Sequence, residues 1–585
     1  MPRLTNNRPI RPVSRRTLLG AGALGGGIVT LSACSGDDRP DTGGGDVPQV
    51  EYEQGSASLQ TELGEEIPGV LYPEGYVGPK ARELTPFDES GTTFRVVSRQ
   101  NTGLDFKTNA YSKYLEEKTG VKVSYETVPM GDDGTPKINA MISSGDLPDA
   151  FMLGPEWMGG FTRSQLYAYG SQGLFQALDQ LIDEWAPEAV QMFEDFPTLR
   201  ASLTAPDGAM YTFPGTNQCY HCKSMDNRSW IQREWLEEIG ATAQPATTDE
   251  LKEVLQEFKK AHPDGKPMSG WKDELPIVVF ASAWLNPGKN WLRRSGDEIQ
   301  FTPVLDEFRE SLVYVRSLVE EELLDPNTFT QTSEQFQRLT MAEGGSKVGL
   351  ARATSMGWLG ELDLNNPDAP VSKYDPLAPF AGPAGKAYAS WSYDPGPTVG
   401  LVITSACKDP KTLVRWADAQ LNLVSTLHMR LGPQGEGWEW AKEGEKGIDD
   451  RQAIYGRVPN ELENAGWNEW GPSNLCLDVR HGERLDDTGS QEPILYQASK
   501  ACEPYATPEE EFFPEPFFNV DQAAQIGEYT TNIQTALIQG FTDFSLGNTD
   551  ISDDAAWDSF KQSLDGAGLS SYLQVLQEAD SMQVG

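Results

Sequence analysis

The order strand, helix, strand, helix, strand over residues 92–153 constrains the fold more than any other feature of the chain. The β-branched run 94–97 precedes a helical pattern that Gly120 ends, and the alternating strand 121–125 follows it. A second helical pattern then leads into the apolar strand 150–153. Because strands joined by single helices pair side by side in the same direction, this order predicts a parallel sheet with helices on its faces.

Length and charge limit the architecture and the partners. About 495 residues follow the first 90, which is too long for a single core and predicts two or more lobes. The formal net charge is −40. Nucleic acid and anionic lipid both need clustered cations, so this charge argues against either as a partner.

The first 34 residues resemble an export and lipidation signal. Five basic residues and no acidic residue precede Thr17, and the run 14–19 (SRRTLL) resembles a twin-arginine signal. A short Gly/Ala/Leu stretch ends in the run 31–34 (LSAC), which resembles a lipobox with Cys34 as the lipidated residue. The alternative is a plain signal peptide with an incidental cysteine. Residues 35–90 are rich in Gly, Pro and acidic residues, and this composition predicts a flexible tether.

Several motifs in a fixed order resemble extracellular solute-binding proteins of family 1. They are YSKYLEEKTGVKV (111–123), SSGDLPDAFML (143–153), GLFQALDQLIDEWAPEA (173–189), PDGAMYTFP (206–214), IQREWLEEIG with TTDELKEVLQEFKKAHPDG (231–265), and ITSACKDPKTLVRWAD with LGPQGEGW (403–438). The similarity covers residues 92–580 and is greatest to the lipoprotein branch that includes alginate- and uronate-type oligosaccharide binders.

The resemblance implies a two-lobe, periplasmic-binding-protein-like α/β fold, each lobe a mostly parallel sheet flanked by helices, with the ligand cleft at the hinge. Lobe 1 is expected to hold residues 91–215 and about 396–510, and lobe 2 about 216–395 and 511–585. By the same resemblance the chain is a monomeric, membrane-anchored extracytoplasmic receptor that delivers a sugar or oligosaccharide to ABC permease subunits. It is not expected to be an enzyme or to need a cofactor.

A sugar-binding cleft needs aromatic platforms and a few fixed polar groups, because sugars present flat C–H faces and a rim of hydroxyls. Candidate residues lie next to turn residues or after predicted strands, although packing explains each Trp equally well. Arg352 is interpreted either as a clamp for a sugar carboxylate or as a structural ion pair. The candidates are Trp157, Asn217, Tyr220, Trp284, Arg352, Trp358, Trp391 and Tyr393.

Two segments carry possible metal or redox chemistry. Some relatives of this branch have a calcium loop where this chain has residues 262–274, but only Asp264, Asp273 and Glu274 remain as acidic ligands. Calcium needs six or more oxygens, so loss of the metal is predicted. The run 219–222 (CYHC) fits a thiol–disulfide centre, part of a metal site, a disulfide or buried thiols. Pairing among Cys219, Cys222, Cys407, Cys476 and Cys502 stays open.

Two other functions remain as alternatives. A peptide-binding lipoprotein of an ABC importer would favour polar loops that read a peptide backbone over stacked Trp. A secreted carbohydrate-active enzyme would need two carboxylates at a defined separation, and the 87 acidic residues do not exclude such a pair. No phosphate loop, Ser-His-Asp elbow or H-E-x-x-H motif is present in the sequence.

Overall fold

Two β-sheets, one of six strands and one of four, organise the chain. The computed structural model describes residues 58–581, apart from residues 102, 131–132, 157–158, 225–227, 363–365, 367, 394–395, 459–461, 469 and 486–490. The predicted export signal, Cys34 and Trp157 therefore lie outside the described residues. Among the residues described, no helix has both the length and the apolar character that crossing a bilayer requires.

The strands number fourteen in the described part of the chain. They are β1 (Thr93–Arg99), β2 (Lys122–Val128), β3 (Ala150–Met152), β4 (Phe213–Asn217), β5 (Ser229–Gln232), β6 (Lys266–Ser269), β7 (Leu292–Ser295), β8 (Glu298–Phe301), β9 (Val348–Arg352), β10 (Tyr374–Leu377), β11 (Pro397–Ile403), β12 (Trp438–Trp440), β13 (Tyr455–Arg457) and β14 (Asn474–Leu475).

Helices cover the faces of both sheets. They are α1 (Ala110–Thr119), α2 (Thr135–Ser144), α3 (Arg163–Ser171), α4 (Asp179–Trp185), α5 (Pro187–Asp195), α6 (Pro197–Leu203), α7 (Arg233–Glu238), α8 (Thr248–Ala261), α9 (Ile277–Ala281), α10 (Asp306–Glu320), α11 (Ser333–Thr340), α12 (Pro410–Asp418), α13 (Leu423–Leu431), α14 (Leu477–His481), α15 (Glu492–Cys502), α16 (Val520–Leu546), α17 (Asp554–Gly566) and α18 (Leu569–Ser581).

The first sheet confirms the alternation predicted from residues 92–153. Its order is β14-β4-β11-β3-β1-β2, and β1 pairs in parallel with both β2 and β3. The connecting helices α1 and α2 end at Gly120 (φ 79°) and Gly145 (φ 75°). Glycine is favoured at such left-handed caps because other residues have a Cβ that disfavours positive φ.

One strand in each sheet runs against its neighbours, which makes both sheets mixed. In the first sheet β11 is antiparallel to β3 and β4, and in the second sheet, of order β10-β5-β9-β6, β5 is antiparallel to β10 and β9. The chain leaves the first sheet through β4, enters the second through β5, and returns from β10 into β11. Each connection leaves one sheet at the carboxyl ends of its parallel strands and enters the other sheet at the same kind of edge. The strand that follows the connection must therefore run antiparallel to its neighbours.

The C-terminal helices complete the core around the second sheet. Phe308 of α10 and Phe541 of α16 are buried, with ring centroids 5.2 Å apart, in a cluster that also contains Met268 of β6, Leu350 of β9 and Leu576 of α18. Burial of side chains of this size contributes about 1.5–3 kcal/mol each. The four-stranded sheet and the chain's last helices therefore share one core.

The lobe boundary predicted near residue 510 needs correction. Leu495 and Ala498 of α15 lie in the cluster formed by Trp230 of β5 and Tyr374 of β10. The apolar face of α15 thus packs on the second sheet, whereas the prediction placed residues 396–510 with the first. The chain therefore passes from the first sheet to the second between α14 and α15.

The prediction of a flexible tether over residues 35–90 is wrong for part of its length. The Ile67 N–H donates to the carbonyl of Ala81 at 2.9 Å, and Ala81 is fully buried. The Lys80 ammonium lies 3.9 Å from the centroid of the Tyr72 ring, and the Lys80 carbonyl accepts a hydrogen bond from the backbone of Leu423. Composition suggested a tether because the few apolar residues here are not periodic, yet they pack against α13.

Candidate functional site

A cavity of about 500 Å³ lies at the carboxyl ends of β6 and β9. This edge is where ligands bind open α/β sheets. The chain after β6, the last residue of β9, the loop before β7, α16 and α18 all contribute to its wall. We call it the Arg352 cavity, and its lining includes Lys272, Asp273, Glu274, Lys289, Trp291, Phe301, Arg352, Phe513, Glu515, Phe518 and Tyr572.

Arg352, the last residue of β9, lies on the wall of this cavity beside Glu274. Arg352 is 7% exposed, and its Nη1 lies 2.8 Å from Glu274 Oε2. The same Oε2 accepts the Thr354 N–H at 3.0 Å, and Oε1 accepts the Thr354 hydroxyl at 2.8 Å. Arg352 Nε is buried without a hydrogen-bond partner among the described residues. A buried donor without a partner carries a free-energy cost.

A strained loop presents Trp291 at the cavity wall. Trp291 has φ 66° and Asn290 has φ 54°, and positive φ is unusual for a bulky side chain. The Trp291 carbonyl accepts the backbone N–H of Thr302 at 2.9 Å, and the Thr302 hydroxyl donates to the Pro287 carbonyl at 2.9 Å. The Trp291 ring meets Phe308 nearly edge to face, with centroids 5.4 Å apart. Such strain costs about 1–3 kcal/mol per residue and concentrates at functional sites.

A second cavity, of about 400 Å³, lies among the segments that connect the two sheets. We call it the hinge cavity, and its lining includes Asn217, Gln218, Cys219, Cys222, Lys223, Ser392, Tyr393, Gly396 and Leu477. Two predicted site residues line it. Asn217 Oδ1 accepts hydrogen bonds from Arg480 Nη2 at 2.6 Å and Nε at 3.1 Å. The Tyr393 hydroxyl donates to the Thr507 carbonyl at 2.7 Å.

Tyr220 and Trp391 pack beneath this cavity. They are 8% and 7% exposed, and their rings meet edge to face with centroids 5.8 Å apart. The ammonium of Lys500 lies 5.1 Å from the centroid of the Tyr220 ring, and the backbone N–H of Trp391 donates to the Thr507 hydroxyl. The structure therefore brings the two predicted residues together as packing partners, and little of either side chain is exposed.

Charged side chains gather around Glu492, just beyond the hinge cavity. His221 Nδ1 lies 3.5 Å from its carboxylate, and Arg430 and Arg480 approach it at 3.5 and 3.4 Å. Burial lowers the pKa of His221 to about 4, although Glu492 acts in the opposite direction. Burial raises the pKa of Glu492, but His221, Arg480 and Arg430 outweigh it and hold the pKa below its ordinary value. The imidazole is therefore neutral and the carboxylate charged at neutral pH.

Arg228 connects the two cavities through hydrogen bonds. It is 2% exposed, and its guanidinium donates to the Thr354 carbonyl through Nη1 and to the His221 carbonyl through Nη2. Thr354 in turn contacts Glu274, the partner of Arg352. A chain of buried polar contacts thus runs from the hinge to the wall of the Arg352 cavity.

Cys219 and Cys222 form a disulfide at the first crossing. Their sulfurs and a His221 ring nitrogen lie within 4.8 Å of one another, but the bonded sulfurs are not thiolate ligands. Cys407, Cys476 and Cys502 are buried and reduced. Of the open possibilities for this motif, the structure therefore has the local disulfide.

The three acids of the degenerate calcium loop do not converge. Asp264 precedes β6 whereas Asp273 and Glu274 follow it, and four strand residues span about 13 Å. Glu274 also accepts hydrogen bonds from Thr354, and Asp273 pairs with Lys272 at 2.6 Å. Two of the three expected ligands, Asp273 and Glu274, are thus used in other interactions.

Trp284 and Trp358, the remaining predicted aromatics that the structure describes, line neither cavity. Trp284 is partly buried and packs against Tyr314, with centroids 5.5 Å apart, at the edge of the second sheet's core. Trp358 is 42% exposed and packs beside Trp271. Trp157 lies in a gap between described residues. The local turn signals that suggested Trp284 and Trp358 do not distinguish a cavity wall from a core edge or an exposed surface.

Sequence reasoning missed Trp291, Phe513 and the pairing role of Glu274. A signal for Trp291 was present, because the run 287–291 (PGKNW) places turn residues directly before a Trp. Phe513 carries no comparable signal, since its position depends on how the chain before α16 packs. Glu274 was recognised only as a remnant of the calcium loop.

Comparison with known proteins agrees with this architecture. Residues 98–422 match the family model described as bacterial extracellular solute-binding protein. The fructooligosaccharide ABC transporter substrate-binding protein FusA of Streptococcus pneumoniae serotype 4 is 25% identical over 496 residues, covering 79% of this chain and 85% of FusA.

Two solved structures share the fold. The FusA–kestose complex has a TM-score of 0.65 at 22% identity and covers 84% of this chain and 100% of its own. An HMO-binding ABC-transporter-associated solute-binding protein from Bifidobacterium longum infantis has a TM-score of 0.69 at 18% identity, with coverage of 84% and 99%. The family model spans more than half of the chain. The chain is therefore a member of the bacterial extracellular solute-binding protein family.

Proposed function

We propose that this protein is the receptor of an ABC importer and binds an oligosaccharide in the Arg352 cavity. The observation that carries the proposal is a cavity at the carboxyl ends of β6 and β9 that is lined both with aromatic rings and with charged side chains, Arg352 among them. Closure of the two sheet-bearing halves around the bound sugar would create the form that the permease recognises. The relative FusA, named for fructooligosaccharide transport, supports this substrate class.

The chemistry of the wall suits a sugar. Trp291, Phe513 and Tyr572 offer apolar faces, and Arg352 and Lys272 offer donors, within a volume of about 500 Å³. Ligand pockets for small molecules are about 300–1,000 Å³ and combine apolar walls with a few fixed polar groups. We place Asn217 and Tyr393 at the hinge end of the ligand path, with Tyr220 and Trp391 as their packing support.

We also propose that the chain is exported by the twin-arginine route and anchored outside the cytoplasm through lipid on Cys34. The support is the ordered signal of residues 14–19 and 31–34. Cys34→Ser should abolish incorporation of a radiolabelled fatty acid and release the protein from membranes. Arg15→Lys together with Arg16→Lys should leave it in the cytoplasm. Continued fatty-acid labelling of Cys34→Ser would contradict the anchor.

The test of ligand class is a calorimetric and thermal-shift screen of the purified chain against oligosaccharides and short peptides. A ligand at 100 times its dissociation constant should stabilise the fold by about 2.7 kcal/mol. Trp291→Leu should weaken binding of an oligosaccharide hit at least tenfold. Trp358→Leu is the matched control, because the exposed Trp358 ring lines neither cavity.

The outcomes separate the functions. An oligosaccharide recovered intact after binding supports the receptor, whereas cleavage of the hit would identify an enzyme. A response to peptides alone would identify a peptide receptor. Equal loss of affinity in Trp291→Leu and Trp358→Leu would remove the Arg352 cavity from the proposal.

A further inference from the structure

The fixed charges on the wall of the Arg352 cavity cancel. Among the described residues, three cationic and three anionic side chains line it, namely Lys272, Lys289, Arg352, Asp273, Glu274 and Glu515. The chain as a whole carries a net charge of −40. Neither the cavity nor the long-range field of the protein therefore favours an anionic ligand.

Glu274 neutralises Arg352, whose buried side chain lines this cavity. Its carboxylate lies 2.8 Å from Arg352 Nη1, and both of its oxygens accept hydrogen bonds from Thr354. These contacts fix the carboxylate beside Arg352. A sugar carboxylate that approached the guanidinium would meet a like charge held at the same group, and little solvent is present to screen the repulsion.

We propose that the cavity selects uncharged oligosaccharides and that Glu274 is the residue that sets this selectivity. The inference rests on the proposed function, because it assumes that a sugar occupies the Arg352 cavity. Glu274 neutralises the charge of Arg352. Arg352 is then unavailable as a clamp for a uronate, whereas an uncharged sugar meets no like charge at this wall.

The experiment compares affinities for matched neutral and uronate-containing oligosaccharides of two to five units by isothermal titration calorimetry. The wild-type protein should bind the best neutral sugar at least tenfold more tightly than any uronate. In Glu274→Gln the guanidinium keeps its charge and loses its anionic partner. The neutral-to-uronate affinity ratio should therefore fall at least tenfold in this variant.

Glu257→Gln is the control. It removes one negative charge from an exposed ion pair with Lys260, and Glu257 does not line the Arg352 cavity. The affinity ratio of this variant should stay within threefold of wild type. Equal changes in the two variants would overturn the role of Glu274 and assign selectivity to the total charge of the protein.

Two further outcomes are distinguishable. Wild-type protein that binds a uronate as tightly as its neutral counterpart overturns the inference while leaving the receptor function intact. Absence of binding to every oligosaccharide, in wild type and both variants, contradicts the proposed function itself. Should Glu274→Gln not fold, the salt dependence of wild-type binding decides. Affinity for a uronate should not fall as salt is raised from about 50 to 500 mM, because the wall offers it no net attraction, and a fall of more than twofold means that the sugar carboxylate is attracted and overturns the inference.

Discussion

Arg480 donates two hydrogen bonds from one guanidinium to the side-chain oxygen of Asn217, at 2.6 and 3.1 Å, and so ties the end of β4 to α14. The same guanidinium lies 3.4 Å from Glu492 at the start of α15. Arg480 thus joins the two segments that leave the first sheet for the second. The charged guanidinium of Arg480 that links these segments is itself largely buried.

Replacement of Arg480 tests this connection. Arg480→Met should lower the free energy of unfolding by about 3–5 kcal/mol, because removal of one partner leaves buried charge undercompensated. Urea denaturation measures the loss. Lys260→Met is the control, since the Lys260–Glu257 pair is exposed and such pairs contribute about 0–1 kcal/mol. A loss below about 1 kcal/mol in Arg480→Met would show that Arg430 and His221 suffice to hold Glu492.

Glu188 should make the protein less stable as pH rises. Burial raises its pKa to about 7 from 4.5, although Arg82 acts in the opposite direction. Because the folded state binds the proton more tightly than the unfolded state, this stabilisation is full below pH 4.5 and is lost as pH rises through about 7. The loss amounts to roughly 3 kcal/mol.

The variant Glu188→Gln isolates that contribution. Urea denaturation at several pH values should show that it loses less stability than wild type between about pH 4.5 and 7. Glu194→Gln, on the same helix and exposed, is the control and should follow the wild-type profile. A Glu188→Gln profile parallel to wild type would mean that the Glu188 carboxyl does not titrate in this range.

Gly288 should be indispensable to the loop that presents Trp291. It has φ 69°, and an added Cβ would overlap the carbonyl oxygen of Leu292. Gly288→Ala should destabilise the fold by about 2–4 kcal/mol, the sum of backbone strain and steric displacement. Gly296→Ala is the matched control, since Gly296 has φ 62° with nothing within 4 Å of an added Cβ. If thermal unfolding showed the same loss of stability in both variants, the steric effect would be contradicted.

The disulfide between Cys219 and Cys222 should contribute roughly 2 kcal/mol, because it closes a short loop in the unfolded chain. A dithiol reductant should therefore lower the urea midpoint of wild type and leave Cys219→Ser/Cys222→Ser unchanged. The other described cysteines are buried, and burial raises their pKa to about 12, 12 and 11 for Cys407, Cys476 and Cys502. An equal effect of reductant on wild type and the double variant would point to a different target.

The sequence predicted the positions of helices and strands better than it predicted which of them pack together. Gly120 and Gly145 end helices where the pattern places them, because a left-handed cap is a local requirement of the backbone. The order of motifs also identified the family. By contrast, α15 has an apolar face whose partner sheet no local pattern specifies, and the segment around Ala81 is buried although its composition resembles a tether.

The site was less predictable for a related reason. Arg352 was identified because it lies in a run of turn residues that ends in a Trp, and such runs can be recognised from the sequence. Its partner Glu274 lies 78 positions earlier, and nothing in the chain specifies that the two meet. Trp284 and Trp291 both lie beside turn residues and both pack against the core of the second sheet, yet of the two it is Trp291 that lines the Arg352 cavity. Only the packing of α10 and α16 decides between them.

The position of β11 has a consequence for synthesis. This strand separates β3 from β4, so the first sheet stays in two pieces until residue 403 has been made. The four strands of the second sheet have all been made by residue 377. Its core, however, is complete only when α16 and α18 have also been made. Both halves therefore expose strand edges or an incomplete core while the intervening segments are still being made, and such intermediates are prone to aggregation. Chaperones that shield strand edges should raise the yield of this protein.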